Sequence, residues 1–196
     1  MICGIVLAAG RSRRMGEPKA FLRVGNSSFL EHAVRVLSDG GCELVIVVTG
    51  PLTDETARRI AEDAAVLDAG IAVNPDPESE QADSLRIALF ALPPEARAVV
   101  VAPVDVPDVS GAIVRAVIQA WERSGAPVAV PARDGRHWHP VLFDRTVFRE
   151  LMRMDLPEGA RSVVHAHAHH LATVPVDALP EDLDTPGDYR RWRDGS

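Results

Sequence analysis

The stretch ICGIVLAAGRSRRMGEPKAFL, residues 2–22, sets how the rest of the chain is read. Ile2, Ile5, Val6 and Leu7 make a short apolar run of the kind a buried strand carries. The run breaks at Ala8-Ala9-Gly10 into a loop holding Arg11, Arg13, Arg14 and Lys19, with a second glycine at Gly16. Glycine lets backbone N–H groups approach an anion closely, and an arginine can grip two phosphate oxygens at once, so the loop suits a polyphosphate. Neither GxxxxGK[ST] nor GxGxxG fits it, which excludes two well-known phosphate loops. An exposed basic turn has the same composition, and the residues by themselves leave both readings open.

Working outward, Ser28 opens a helix whose apolar positions Phe29, Leu30, Ala33, Val34 and Leu37 fall at helical spacing until Gly40-Gly41. Residues 44–48 are a continuous apolar run, as in a parallel strand covered on both faces. A helix is predicted over 54–65, opened near Thr53, and a short strand over 70–73. After the breaker Asn74-Pro75-Asp76-Pro77 a helix follows over 81–92. A second nearly all-apolar strand, 97–102, runs into the loop Pro103-Val104-Asp105-Val106-Pro107-Asp108. Ser110 caps a helix reaching Arg123, and 128–131 is the next strand. Strands alternating with helices predict βαβ units and a three-layer α/β fold with a mostly parallel sheet. Beyond Asp134 the pattern changes to a turn at Gly135, a strand over 138–143 and a helix from Asp144. A helix over 158–168, a strand over 171–176 and a helix over 184–192 complete it. With no repeat or linker, residues 1–196 read as one domain whose back third completes the site on the same sheet.

Of the 196 residues 46% are hydrophobic and 25% charged, ordinary for a globular protein with a real core. A net charge of −7 argues against nonspecific nucleic-acid binding, while a basic loop within an acidic chain suits a small anionic ligand. Cys3 and Cys42, without a CxxC spacing, read as buried and reduced. No basic, apolar leader is present, and no run nears the roughly 18 to 20 apolar residues of a membrane span. The expectation is a cytoplasmic protein with no membrane or nucleic-acid partner.

In an open α/β sheet, ligands lie beyond the carboxyl ends of the strands, where the first loop, residues 74–84 and residues 105–108 would meet. Asp105 would face the basic loop there. A carboxylate opposite a triphosphate calls for a cation between them, and Mg²⁺, which takes few protein oxygens, fits. A turn-forming aspartate between prolines is the other reading. DLDTPGDY, residues 182–189, reads as a helix start with Asp184 or Thr185 as cap and Pro186 in the first turn. His165, His167, His169 and His170 have the alternation that zinc ligands take on a strand. They fall in a helical pattern, however, where residues two apart diverge, and no cysteine accompanies them. No GxSxG elbow marks an acyl-transfer nucleophile.

LAAGRSRRMGEPK, residues 7–19, resembles the LAAGxSxRMGxxK signature of nucleotidyltransferases related to molybdenum cofactor cytidylyltransferase, in the MobA-like superfamily. The resemblance implies a nucleotide-diphospho-sugar transferase-like, Rossmann-like fold. It also implies a loop wrapping the triphosphate of an NTP, with Leu7, Ala8, Ala9, Gly10, Arg14 and Lys19 at the nucleotide. Arg14 and Lys19 would face the reacting phosphates as the catalytic pair. VDVPDV is similar to the family's metal-binding D-x-P segment and DLDTPGDY to its DIDTPxDY motif, which makes Asp105 and Asp184 the Mg²⁺ ligands. Asn74 and Ser84-Leu85 resemble a segment lining base and ribose, with Glu78-Ser79-Glu80-Gln81 where its glycine would stand. Trp138-His139-Pro140-Val141-Leu142-Phe143 is similar to GHPVLF, and Glu158-Gly159-Ala160-Arg161 to the GxxGAR stretch without its first glycine. These two imply His139, Pro140 and Arg161 beside the acceptor, while Trp138 reads equally as a wall of that pocket or as core.

The implied reaction is Mg²⁺-dependent transfer from an NTP to the terminal phosphate of a molybdopterin cofactor, with loss of pyrophosphate and a molybdoenzyme receiving the product. Residues 1–133 or so would bind the nucleotide and 134–196 the acceptor. CTP is favoured, because guanylyltransferase relatives carry LAGG where Ala9 here adds a methyl group to the slot for the base. Gly16-Glu17-Pro18-Lys19 is also similar to cytidylyltransferases of isoprenoid synthesis and to sugar-phosphate nucleotidylyltransferases. Another phosphorylated acceptor therefore stays open, as does a noncatalytic NTP-binding module that hands cofactor to a partner enzyme.

Overall fold

In this computed structural model, which describes residues 1–10, 12, 14–178 and 183–195, the apolar run at the N-terminus is strand β1 (Ile2–Leu7), buried at every position. Arg11, Arg13 and Asp182, named above, lie outside the described residues. A 3-10 turn at Lys19–Phe21 leads into a hairpin of β2 (Arg23–Val24) and β3 (Ser27–Ser28). Helix α1 (Phe29–Gly40) starts where Ser28 Oγ accepts from Glu31 N at 3.1 Å and Ser28 N donates to Glu31 Oε2 at 2.9 Å. That reciprocal pair satisfies two donors the first turn would otherwise leave open. Next come β4 (Leu44–Thr49), α2 (Glu55–Val66), β5 (Gly70–Val73), α3 (Gln81–Phe90), β6 (Ala98–Pro103) and α4 (Gly111–Ser124). The remainder forms β7 (Val128–Arg133), β8 (Arg136–His137), β9 (Val141–Asp144), α5 (Phe148–Leu151), α6 (Ala160–Ala166), β10 (Leu171–Pro175) and α7 (Pro186–Gly195).

The main sheet runs β10-β7-β9-β6-β1-β4-β5, with β8 beside β7. β1 pairs in parallel with both β4 and β6, β5 with β4, and β10 with β7. β9 alone runs between β6 and β7, antiparallel to both. Alternate side chains of each strand enter opposite faces. Val6, Val47 and Val100 pack with α1, α2 and α4 on one side, whereas Ile5, Val48 and Val101 pack with α3, α5 and α6 on the other. The fold is therefore three layers around a mostly parallel sheet. No helix among the described residues is long and apolar enough to cross a membrane.

Several boundaries differ from the sequence pattern for identifiable reasons. The expected strand over 138–143 begins only at Val141, because Pro140 has no N–H to give the ladder. Asp144 does not start a long helix; it caps a 3-10 turn, accepting from Thr146 N at 2.8 Å, and α5 adds one turn more. The helix expected over 158–168 is shortened to α6, with Gly159 at φ +54 ahead of it. Helix α3 stops at Phe90, ahead of Pro93-Pro94.

Helices α1 and α4 meet through glycine. A β-carbon at Gly40 would overlap the Val114 side chain, and Gly111 lies against Asp39 and Gly40 across the same contact. Gly40→Ala should therefore lower stability by about 1–3 kcal/mol, the usual range for overpacking. A denaturant midpoint equal to that of the wild type would show that the two helices part freely.

Candidate active site

The hydrogen-bond ladder itself gathers the site. Ala8 N donates to Val48 O (2.9 Å), Val104 N to Leu7 O (3.1 Å) and Asn74 N to Thr49 O (2.8 Å). The loops that leave β1, β5 and β6 are thus hung side by side on one rim. A cavity of about 280 Å³ opens there, bordered by Leu7, Ala8, Ala9, Gly10, Arg14, Lys19, Ser84, Asp105 and Asp184, with Asp76, Ser79, Glu80 and Gln81 along its far wall. A second space of about 540 Å³ reaches toward Thr49, Gly50 and Asp54. Ala8, Ala9, Gly10, Pro18, Ile60 and Pro77 border both.

The basic loop returns on itself around Ser12, which sits at φ +48. Ser12 Oγ accepts from Lys19 N at 3.0 Å and Ser12 O from Met15 N at 2.9 Å. Met15 is buried, and Gly16, at φ +79, takes the turn that a side chain would resist. Ser12, Met15 and Gly16 therefore build the loop whose charges line the cavity. Reading the loop for its cations alone passed over Ser12 and Met15, although both are fixed letters of its signature.

Lys19 is the centre of the charged cluster. Its Nζ lies 2.6 Å from Asp105 Oδ2 and 2.9 Å from Asp184 Oδ1, and Arg14 Nη2 lies 3.0 Å from Asp184 Oδ2. The Lys19 side chain is only 13% exposed, against 72% for Arg14. Burial of Lys19 pulls its pKa down, but the hydrogen bonds and charges of the two carboxylates outweigh that, and the net shift is upward. The Lys19 hydrogen bond is the largest influence on the Asp184 carboxyl and holds it below the usual carboxylate range; burial opposes this, and the charges of Lys19 and Arg14 add to it. The ion pair accordingly contributes from just above the carboxylate range, is lost as pH falls through the depressed Asp184 value, and is lost again as pH rises through the raised lysine value.

Asp184 is free for this contact because it does not cap α7. Thr185 and Asp188 cap each other: Thr185 N and Oγ1 both donate to Asp188 Oδ2 at 2.7 Å, and Asp188 N donates to Thr185 Oγ1 at 3.2 Å. Of the two caps the sequence left open, the structure has Thr185.

Asn74 and Ser84 are brought together, but as partners of one another. Asn74 Nδ2 donates to Ser84 Oγ at 2.9 Å and to Ser79 Oγ at 2.7 Å, and Asn74 Oδ1 accepts from Asp76 N at 3.1 Å. Buried Asn74 thus folds the loop over 74–84, while Ser84 reaches the cavity wall. His139, Pro140 and Arg161 are not among the residues bordering either cavity. Burial lowers the His139 pKa; the Val101 backbone and Asp105 oppose this and Arg161 adds to it. Its Nδ1 is shut off from solvent without a hydrogen-bond partner among the described residues. Trp138 packs against the core. His167 pairs with Glu150 at 3.0 Å and His165 with Glu158 at 3.2 Å. Among the described residues no three His, Cys, Asp or Glu side chains gather as a metal site.

The sequence model of the MobA-like NTP transferase domain matches residues 4–171. A 2-C-methyl-D-erythritol 4-phosphate cytidylyltransferase of Streptomyces coelicolor is 37% identical over 132 residues, 65% of this chain and 48% of that protein, so the match spans about half the relative's length. A probable molybdenum cofactor guanylyltransferase of Mycolicibacterium paratuberculosis is 29% identical over 197 residues, covering 96% and 93% of the two chains. The crystal structure of Rv0371c from Mycobacterium tuberculosis H37Rv superposes with a TM-score of 0.85 at 32% identity, over 99% of this chain and 98% of that one. A further structure of Rv0371c is a complex with manganese, with a TM-score of 0.81 at 30% identity over 100% and 99%. With 168 consecutive residues matched and the same fold throughout, the chain belongs to the MobA-like NTP transferase domain family.

Proposed function

We propose that the protein is a divalent-cation-dependent nucleotidyltransferase that joins an NTP, CTP in preference to GTP, to the terminal phosphate of a molybdopterin-type acceptor and releases pyrophosphate. The observation that carries this reading is the convergence of Arg14, Lys19, Asp105 and Asp184, from three separate segments, on one cavity wall. The carboxylate pair fits a hard cation. Both ligands are oxygen donors, and the gap between them already accommodates a positive group, the Lys19 ammonium. Two protein carboxylates, with water and phosphate filling the other positions, is the habit of Mg²⁺. Asp105 and Asp184 would hold the ion, and when bound it supplies positive charge to the phosphate oxygens.

The chain's own residues bind and align. Arg14 and Lys19 neutralise the triphosphate, and the backbone of Ala8 to Gly10 supports the nucleoside. An oxygen of the acceptor phosphate attacks the α-phosphorus. The new P–O bond forms as the bridge to the β-phosphate breaks, and its electron pair leaves with pyrophosphate. Arg14 and Lys19 hold charge as it builds in the transition state, so no covalent enzyme intermediate is required. His139, Pro140 and Arg161 are assigned to the acceptor side, and a molybdoenzyme would receive the product.

A different phosphorylated acceptor is the second reading, favoured by the 37% identity to the methylerythritol phosphate cytidylyltransferase. Pyrophosphate release, measured with CTP and GTP against molybdopterin and 2-C-methyl-D-erythritol 4-phosphate, tests both. Release with the second acceptor alone overturns the first reading, and no release with either overturns the transfer activity. For the base, Ala9, which borders both spaces, is the residue at issue. One methyl group is worth about 1 to 3 kcal/mol of discrimination. Ala9→Gly should therefore shift kcat/KM partway from CTP toward GTP, and an unchanged ratio would remove Ala9 from base selection.

A further inference from the structure

We propose that Tyr189 and Trp192, on helix α7, are positioning residues that hold Asp184, Lys19 and Asp105 in register with one another. The inference rests on the nucleotidyltransferase reading and concerns how its charged site is held together. α7 begins two residues after Asp184, so wherever the helix is fixed, Asp184 is fixed. Tyr189 ties it to the lysine segment. Its hydroxyl accepts from Arg23 N at 3.1 Å and donates to Arg23 O at 2.9 Å, four residues after Lys19 and directly behind the 3-10 turn that begins with it. Trp192 ties it to the carboxylate loop, since its Nε1–H donates to Asp108 Oδ1 at 2.7 Å, three residues after Asp105. The two rings stand three residues apart on one helical face and stack with centroids 6.1 Å apart. Buried Phe29 meets both edge-on, at 5.9 Å from Tyr189 and 5.8 Å from Trp192.

Docking of α7 on the core needs only the apolar ring faces. The three polar bonds are additional, and each runs to a segment that supplies a charge to the cluster. A hydrophobic contact tolerates sliding, whereas the directional hydrogen bonds to the Arg23 backbone and to Asp108 favour one position of the helix along its axis. Lys19 contacts to both carboxylates at 2.6 and 2.9 Å demand that register.

The test is Tyr189→Phe, Trp192→Phe and their combination, each of which keeps an aromatic ring while removing the polar group. The readout is binding of Mn²⁺, followed by its paramagnetic resonance signal, alone and with CTP. Loss of a direct partner of a metal ligand commonly changes metal affinity by about 10- to 100-fold. Tyr189 and Trp192 act through one further segment, so the low end, about 10-fold, is expected for each single variant, with Tm lowered by no more than a few degrees. In turnover the same variants should lower kcat and raise the metal requirement while leaving KM for CTP nearly unchanged. Unchanged Mn²⁺ affinity, with only a fall in Tm, would make the pair a packing device and overturn the inference. Because Mn²⁺ binding is read without any acceptor, lack of turnover in the wild type would overturn the function and leave this result to stand. A wild type that binds no Mn²⁺ under either condition overturns both.

Discussion

Lys19→Ala is expected to lower turnover by about 10²-fold or more while the protein stays folded, the scale of losing one electrostatic stabiliser of a transition state. Two effects add. The variant loses a cation that would meet the phosphates, and it leaves Asp105 and Asp184 facing one another without the ammonium that separates them. Lys19→Arg should not restore activity, because the planar guanidinium is wider than a gap whose contacts are 2.6 and 2.9 Å. Arg14→Ala should fall less far, since its side chain is 72% exposed and water screens its charge. Single-turnover rates at saturating CTP make the comparison, and near-normal turnover in Lys19→Ala would remove the residue from catalysis.

The second large effect concerns the carboxylates. Asp105→Asn and Asp184→Asn exchange a charged ligand for a neutral amide, so each should raise the Mg²⁺ needed for half-maximal activity by at least about 10-fold. EDTA should abolish wild-type activity, and activity that survives it would end the proposed mechanism. Because the α7 cap is made by Thr185 and Asp188, Asp184→Asn is not confounded by loss of a helix cap. Wild-type metal dependence in that variant would confine the ligand role to Asp105.

These residues show what a linear pattern can carry. β1, β4 and β6 were legible because burial on both faces demands an unbroken apolar run, and their loops had to emerge on one rim once the strands were parallel. The antiparallel direction of β9 was not legible, since hydropathy reports burial and is blind to strand polarity. Pro140 did mark where that strand begins, and hydropathy outweighed it. At the site, Asp105, Asp184 and Lys19 could each be nominated from a motif. Their mutual contact spans 86 and 165 positions of sequence and exists only once the sheet and the helix after Asp184 are in place. Asn74 was nominated from its motif, and its hydrogen bonds to Ser79 and Ser84 are a local arrangement that only the folded loop reveals.

The placement of β9 has a consequence for the order in which the chain can be assembled. Strand β7 is made immediately after α4, yet its ladder partners β8, β9 and β10 all come later in the chain. One side of β6 likewise stays bare until residues 141–144 arrive, presenting an apolar edge of the kind that recruits foreign strands. During synthesis the first 133 residues thus hold two strands waiting for neighbours, and the sheet closes only through pairings with the last third. A ribosome stalled near that point would expose a sticky half-sheet, and a chaperone that shields strand edges would find there its longest window of access.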